Sequence, residues 1–102
     1  MESEYIYHVT TLKEWEQAKA NNQYTPVDYE KDGFIHCSIE KQISGVLDRF
    51  YKGQTGLVKL KIEKEKVQRP VLFELAHDLN ELFPHIYGPL NLDSVISVET
   101  IS

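Results

Sequence analysis

The chain is poor in the residues that staple, anchor or charge a protein. It has one cysteine, Cys37, in 102 residues, so no intrachain disulfide can form and a cysteine-rich zinc site is excluded. That usage fits a reducing compartment. The acidic start Met1-Glu2-Ser3-Glu4 lacks the basic opening and apolar core of a secretory signal. No apolar run approaches the roughly 20 residues a membrane span needs. A cytoplasmic protein without a membrane partner is expected. Positive charge is scarce as well: 11 Lys and Arg stand against 16 Asp and Glu, a net charge of -5. An acidic surface has no general attraction for a phosphate backbone, so a nucleic-acid partner is not expected. The densest charge run, Lys59 to Lys66, alternates in sign and reads as a solvated strand face and turn. There are no repeats, low-complexity segments or linkers.

What is present is enough for one core. The hydrophobic fraction is 41% and the charged fraction 26%, as in ordinary globular chains. Residues 1–102 form a single domain, with a radius of gyration expected near roughly 13 Å.

Glu4 to Thr10 alternates as a strand rich in β-branched and aromatic residues. Thr11 and Glu14 have the spacing of a capping box and open a helix whose buried stripe is Leu12, Trp15 and Ala18. Asn21-Asn22 ends it. Pro26 makes Tyr24 to Val27 an extended or loop segment, and Asp32-Gly33 is a turn signal. Phe34 to Cys37 reads as a short strand, and Ser38 as the N-cap of a second helix with the stripe Ile39, Ile43, Val46, Leu47 and Phe50. Gly53 stands where that helix would stop. Leu57 to Ile62 alternates, with Val58, Leu60 and Ile62 on one face. Val71 to Ala76 is a further strand and Asp78 to Pro84 a loop. His85 to Tyr87 is short and extended, Gly88-Pro89 breaks it, Asn91 to Ser94 turns, and Val95 to Ile101 alternates as a last strand. Helices fall early and strands late, which favours an α+β domain over a doubly wound parallel sheet.

One pattern occurs twice. A strand delivers a histidine, a hydroxyl residue follows two positions later, and a helix begins: His8-Val9-Thr10-Thr11, then His36-Cys37-Ser38. Residues i and i+2 of a strand share a face, so His8 points with Thr10 and His36 with Ser38. A neutral imidazole both donates and accepts near pH 7, and nearby helix starts offer N–H groups to an anion. The alternative is a pair of hydrogen-bonded core histidines. Cys37 faces away from His36 on the same logic and reads as a small buried hydrophobe, not a nucleophile. Pro84 to Asn91 combines backbone-fixing residues with polar aromatics, with His85 and Tyr87 on one face; it borders a site or forms a tight turn. Glu74 lies in an apolar strand, either on an exposed face or as a general base with a raised pKa. His77, beside Asp78, reads as a surface residue. No HExxH, Walker A, GxGxxG or GxSxG pattern is present, and scattered histidines are a weak metal signal, so no metal is expected.

Three segments, Tyr7-His8-Val9-Thr10, Asp32-Gly33-Phe34-Ile35-His36-Cys37-Ser38 and Phe83-Pro84-His85-Ile86-Tyr87-Gly88-Pro89-Leu90-Asn91, resemble domain of unknown function 952. That family has been grouped with the ADP-ribosyltransferase superfamily. The resemblance implies a small split antiparallel or mixed sheet, two main helices from the N-terminal half and a cleft for NAD. It implies that His8 holds the NAD ribose and that His36 packs by the nicotinamide. Thr10 and Ser38 would be supporting polar groups, and His85, Tyr87 and Asn91 a third wall. The superfamily's late-strand Glu has no counterpart near His85 to Tyr87. That absence resembles the histidine-pair branch, whose acceptor is a phosphate already ionised. The expectation is an NAD-utilising transferase or hydrolase acting on a small nucleotide, as a monomer or weak homodimer. The competing readings are a non-catalytic nucleotide or small-ligand module, a metal-dependent hydrolase built on His8, His36 and His85, and a structural domain.

Overall fold

The computed structural model describes residues 4–76 and 79–101. The radius of gyration is 12.9 Å, close to the value expected for one packed core. His77 and Asp78 lie outside the described residues.

Strands β1 (Tyr5–Thr11), β4 (Leu57–Glu63) and β8 (Val95–Thr100) form one antiparallel sheet in the order β1-β4-β8. Strands β3 (Ile35–His36), β6 (Glu81–Ile86) and β5 (Val71–Ala76) form a second, ordered β3-β6-β5. A two-stranded pair joins β2 (Gln23–Tyr24) to β7 (Leu90–Asn91). The two main helices are α1 (Leu12–Asn21) and α3 (Ile43–Phe50), with one short turn, α2 (Tyr29–Asp32), between them. This is an α+β fold of three small antiparallel sheets and two main helices. Among the described residues every strand pair is antiparallel.

The alternation expected in β4 places Val58, Leu60 and Ile62 in the main core with Ile6, Trp15 and Tyr24. Strand β1 is buried on both faces, because its opposite face carries Tyr7 and Val9 into a second cluster with Ile43 and Leu57. Thr11 caps α1, accepting the Glu14 N–H at 3.1 Å, and Asn22 closes it with φ 59°. The predicted α1 stripe is only partly buried: Trp15 and Ala18 are inside, while Leu12 is 48% exposed.

Two expectations are corrected. The sequence predicts a loop over 78–84, but Glu81–Ile86 is the middle strand of its sheet. Pro84 is tolerated there for a simple reason. Its carbonyl points toward β3 and accepts the Cys37 N–H at 2.9 Å. A strand residue's N–H and C=O point the same way, so the missing donor lies on that side and the pairing with β5 is kept. The second helix does not begin at Ser38. Ser38 instead exchanges backbone hydrogen bonds with Tyr7, both at 2.7 Å. A 3-10 turn at Glu40–Gln42 precedes α3, and the Gln42 side chain takes the Ile39 N–H at 3.0 Å.

Candidate functional site

Along one face of β1 the pattern runs Ile6, His8, Thr10. The first packs into the core and the next two are buried polar residues. An alternating face that turns polar without turning outward must supply partners for those groups. They are found in a cleft of about 800 Å³, which His8, Thr10, His36, Ser38 and His85 all line. Tyr24 and Glu14 line it too, although neither stands out in the sequence.

His8 Nδ1 lies 2.5 Å from the His36 carbonyl oxygen. A carbonyl only accepts, so Nδ1 carries the ring proton. Nε2 lies 2.7 Å from the Tyr24 hydroxyl. Tyr24 is 3.0 Å from Thr10 Oγ1, and Thr10 donates to Glu14 at 3.1 Å. The carboxylate also accepts the Val27 N–H at 3.1 Å, so Glu14 fixes the chain after α1 instead of closing a full capping box on Thr11. Burial pushes His8 down to about 4, only partly offset by the His36 carbonyl, so the ring is neutral near pH 7. The same burial pushes the Tyr24 phenol up. Burial also raises the Cys37 thiol, which sits in the core as a small apolar group.

The second histidine is presented differently. Gly33, at φ 80°, ends α2 by donating its N–H to Tyr29; the left-handed conformation suits glycine. The chain then turns so that Asp32 meets His36 Nε2 at 3.1 Å. The His36 ring is 59% exposed. Phe34 sits at its edge at 4.6 Å and stacks on His85 at 4.0 Å and 20°. The rings of His36 and His85 are 5.2 Å apart.

Glu74 resolves at this point. Register sets Leu72 opposite His85 and Glu74 opposite Phe83, so Glu74 and His85 are diagonal neighbours on one sheet face. His85 Nδ1 is 2.7 Å from Glu74 Oε1, and the Tyr87 hydroxyl donates to the same oxygen. Those two bonds hold the Glu74 carboxyl below its usual range, the direction opposite to a buried base of raised pKa. A carboxylate therefore does reach the region of His85 and Tyr87, from the neighbouring strand.

Asn91 is elsewhere. Its amide accepts the Gln68 N–H at 3.0 Å and donates to the Lys66 carbonyl at 2.8 Å and to Asp93. It ties β7 to the segment after β4 and does not line the cleft. Tyr87 touches the site through Glu74 and through Phe34, 5.4 Å away. Among the described lining residues Lys31 is the only Lys or Arg, against Glu14, Asp28 and Asp32. No helix starts at Ser38 itself; a 3-10 turn begins at Glu40, and the Ile39 N–H before it is taken by the Gln42 side chain. No group of three His, Cys, Asp or Glu among the described residues could hold a metal ion, and no described helix is long and apolar enough to cross a membrane.

The fold and cleft define a small α+β domain with a histidine-lined cleft whose walls are mixed polar and apolar. The chain belongs to the family described as Protein of unknown function (DUF952), whose model matches residues 9–98. The crystal structure of CC0527 from Caulobacter crescentus is similar over 97% of this chain and 87% of that one, at 29% identity and a TM-score of 0.88. The solution NMR structure of the same protein matches with a TM-score of 0.83 over 96% and 84%, also at 29% identity. No curated protein matches the chain.

Proposed function

We propose that this cleft binds NAD or a closely related nucleotide and cleaves it, either by hydrolysis or by transfer to an acceptor that is already ionised. The observation that carries this reading is the meeting of His8 and His36, 28 residues apart in sequence, in one open cleft of about 800 Å³. That volume falls in the roughly 300–1,000 Å³ range of small-molecule sites. The nicotinamide end is the better matched. Its flat cationic ring suits the faces of Phe34, His36 and His85, and the acidic Asp32 and Glu14 favour its charge. For the phosphate end, Lys31 is the one Lys or Arg among the described lining residues.

The test is a titration of NAD to millimolar concentration while histidine ring signals are followed by NMR, with nicotinamide release assayed in parallel. Shifts at His36 and His85 together with release support the reading. Absence of any shift overturns it.

A second reading, a non-catalytic nucleotide or small-ligand module, is favoured by one observation. Both ring nitrogens of His8 are engaged within the protein, which leaves that ring to shape the cleft. Binding without nicotinamide release supports this second reading.

A further inference from the structure

We propose that His85 is the proton acceptor of this cleft and that Glu74 is its positioning residue. Three contacts fix the ring. Nδ1 meets Glu74 Oε1 at 2.7 Å, Phe34 stacks on its face at 4.0 Å, and the side chain is 12% exposed. An ionised carboxylate only accepts, so Nδ1 of the neutral ring carries the proton and Nε2 keeps its lone pair. Among the described residues Nε2 makes no hydrogen bond, and His85 lines the cleft. Tyr87 donates to the same Glu74 oxygen, which keeps the carboxylate from swinging away. The other two cleft histidines are differently placed. His8 has both nitrogens engaged. His36 also meets a carboxylate, through Nε2 and Asp32, but its side chain is 59% exposed against 12% for His85, so water competes for its ring and its orientation is less fixed. A carboxylate that orients one imidazole nitrogen leaves the other as a base of fixed direction.

The step rests on the NAD reading. A water O–H bond breaks and its proton goes to the Nε2 lone pair. The oxygen forms a bond to the ribose carbon of the glycosidic link. The carbon–nitrogen bond breaks, and nicotinamide leaves neutral with the bonding pair. His85 then returns its proton to solvent. Charge balances, because the positive charge lost by the nicotinamide ring appears as the released proton.

The test uses the full chain and two readouts that need no NAD. Ring ¹⁵N shifts of neutral His85 should show the proton on Nδ1, and Glu74→Leu should move it to Nε2. Carbethoxylation of His85 by diethyl pyrocarbonate, read by mass spectrometry, should slow about fivefold or more in Glu74→Gln, an order of effect expected for loss of an orienting carboxylate. His36 should react equally in both proteins and serves as the internal standard. With NAD, His85→Gln should lower kcat by about 10²-fold, the usual scale of general-base loss, and KM should rise as well, because the ring also faces the nicotinamide. A wild-type ring protonated on Nε2, or equal His85 reactivity in wild type and Glu74→Gln, overturns the proposal. So does His85→Gln cleaving NAD at the wild-type rate. If both NAD-free readouts hold while wild type releases no nicotinamide, the assignment of the base stands and the NAD reading falls.

Discussion

The imidazole of His8 gives its Nδ1 proton to the main-chain carbonyl of His36 across 2.5 Å. The link runs from ring to backbone, so it joins β1 to β3 without using the His36 side chain. The two histidines therefore have different tasks, and substitution separates them.

His8→Ala removes a buried ring, leaves the His36 carbonyl without its ring partner and takes one of two partners from the Tyr24 hydroxyl, which keeps Thr10. The cost should be about 2–4 kcal/mol, from lost packing and unsatisfied polar groups together. His36→Ala alters a ring that is 59% exposed and should change stability by no more than about 0.5 kcal/mol. Urea denaturation of both variants checks this. Equal losses would show that the His36 ring is as structural as that of His8.

The depressed pKa of His8 makes stability depend on pH with a definite sign. The unfolded ring titrates at 6.5 and the folded one at about 4. Between these values the unfolded chain binds more protons, so stability is full above pH 6.5 and falls as the pH drops toward 4. At 1.36 kcal/mol per unit the ceiling is roughly 3 kcal/mol. Glu74, whose carboxyl is held below its ordinary 4.5, begins to add its own loss as the pH falls through that value, at the acid end of the same window. Urea midpoints at pH 7, 5.5 and 4 should show the slope, and His8→Gln should flatten it.

Tyr24 is 1% exposed and its hydroxyl bridges His8 and Thr10. Tyr24→Phe keeps the ring and removes the bridge. The expected cost is about 1–3 kcal/mol, because buried polar atoms lose their partner. Thermal or chemical denaturation measures it. A neutral outcome would mean that water replaces the hydroxyl.

Asn91→Ala should also destabilise, by about 1–2 kcal/mol, since three hydrogen bonds between β7 and its neighbours are lost. It should leave NAD-induced shifts at His36 and His85 unchanged. Loss of those shifts in a folded variant would place Asn91 in the site after all.

Local pattern carried much of this molecule. The Thr11 cap, the alternation of β4, the burial of Cys37 and the shared face of His8 and Thr10 each depend on residues within a few positions of one another. Such short-range signals survive in any tertiary setting. The failures share a cause as well. Pro84 reads as a strand breaker because the sequence does not reveal which side of the strand is short of a partner. Ser38 reads as a helix cap because its alternative, a bridge to Tyr7, lies 31 residues away in the chain.

By itself the sequence determined the class of fold, the two histidine-bearing strands and the net negative charge. These follow from composition and from periods of 2 and 3.6 residues, which are properties of the chain alone. Only the tertiary structure decided that His8 is sealed and His36 exposed, that Asn91 belongs to another corner, and that Glu74 stands beside His85. Each depends on cross-strand register, and register is fixed by how whole sheets pack, not by the residues adjacent in sequence.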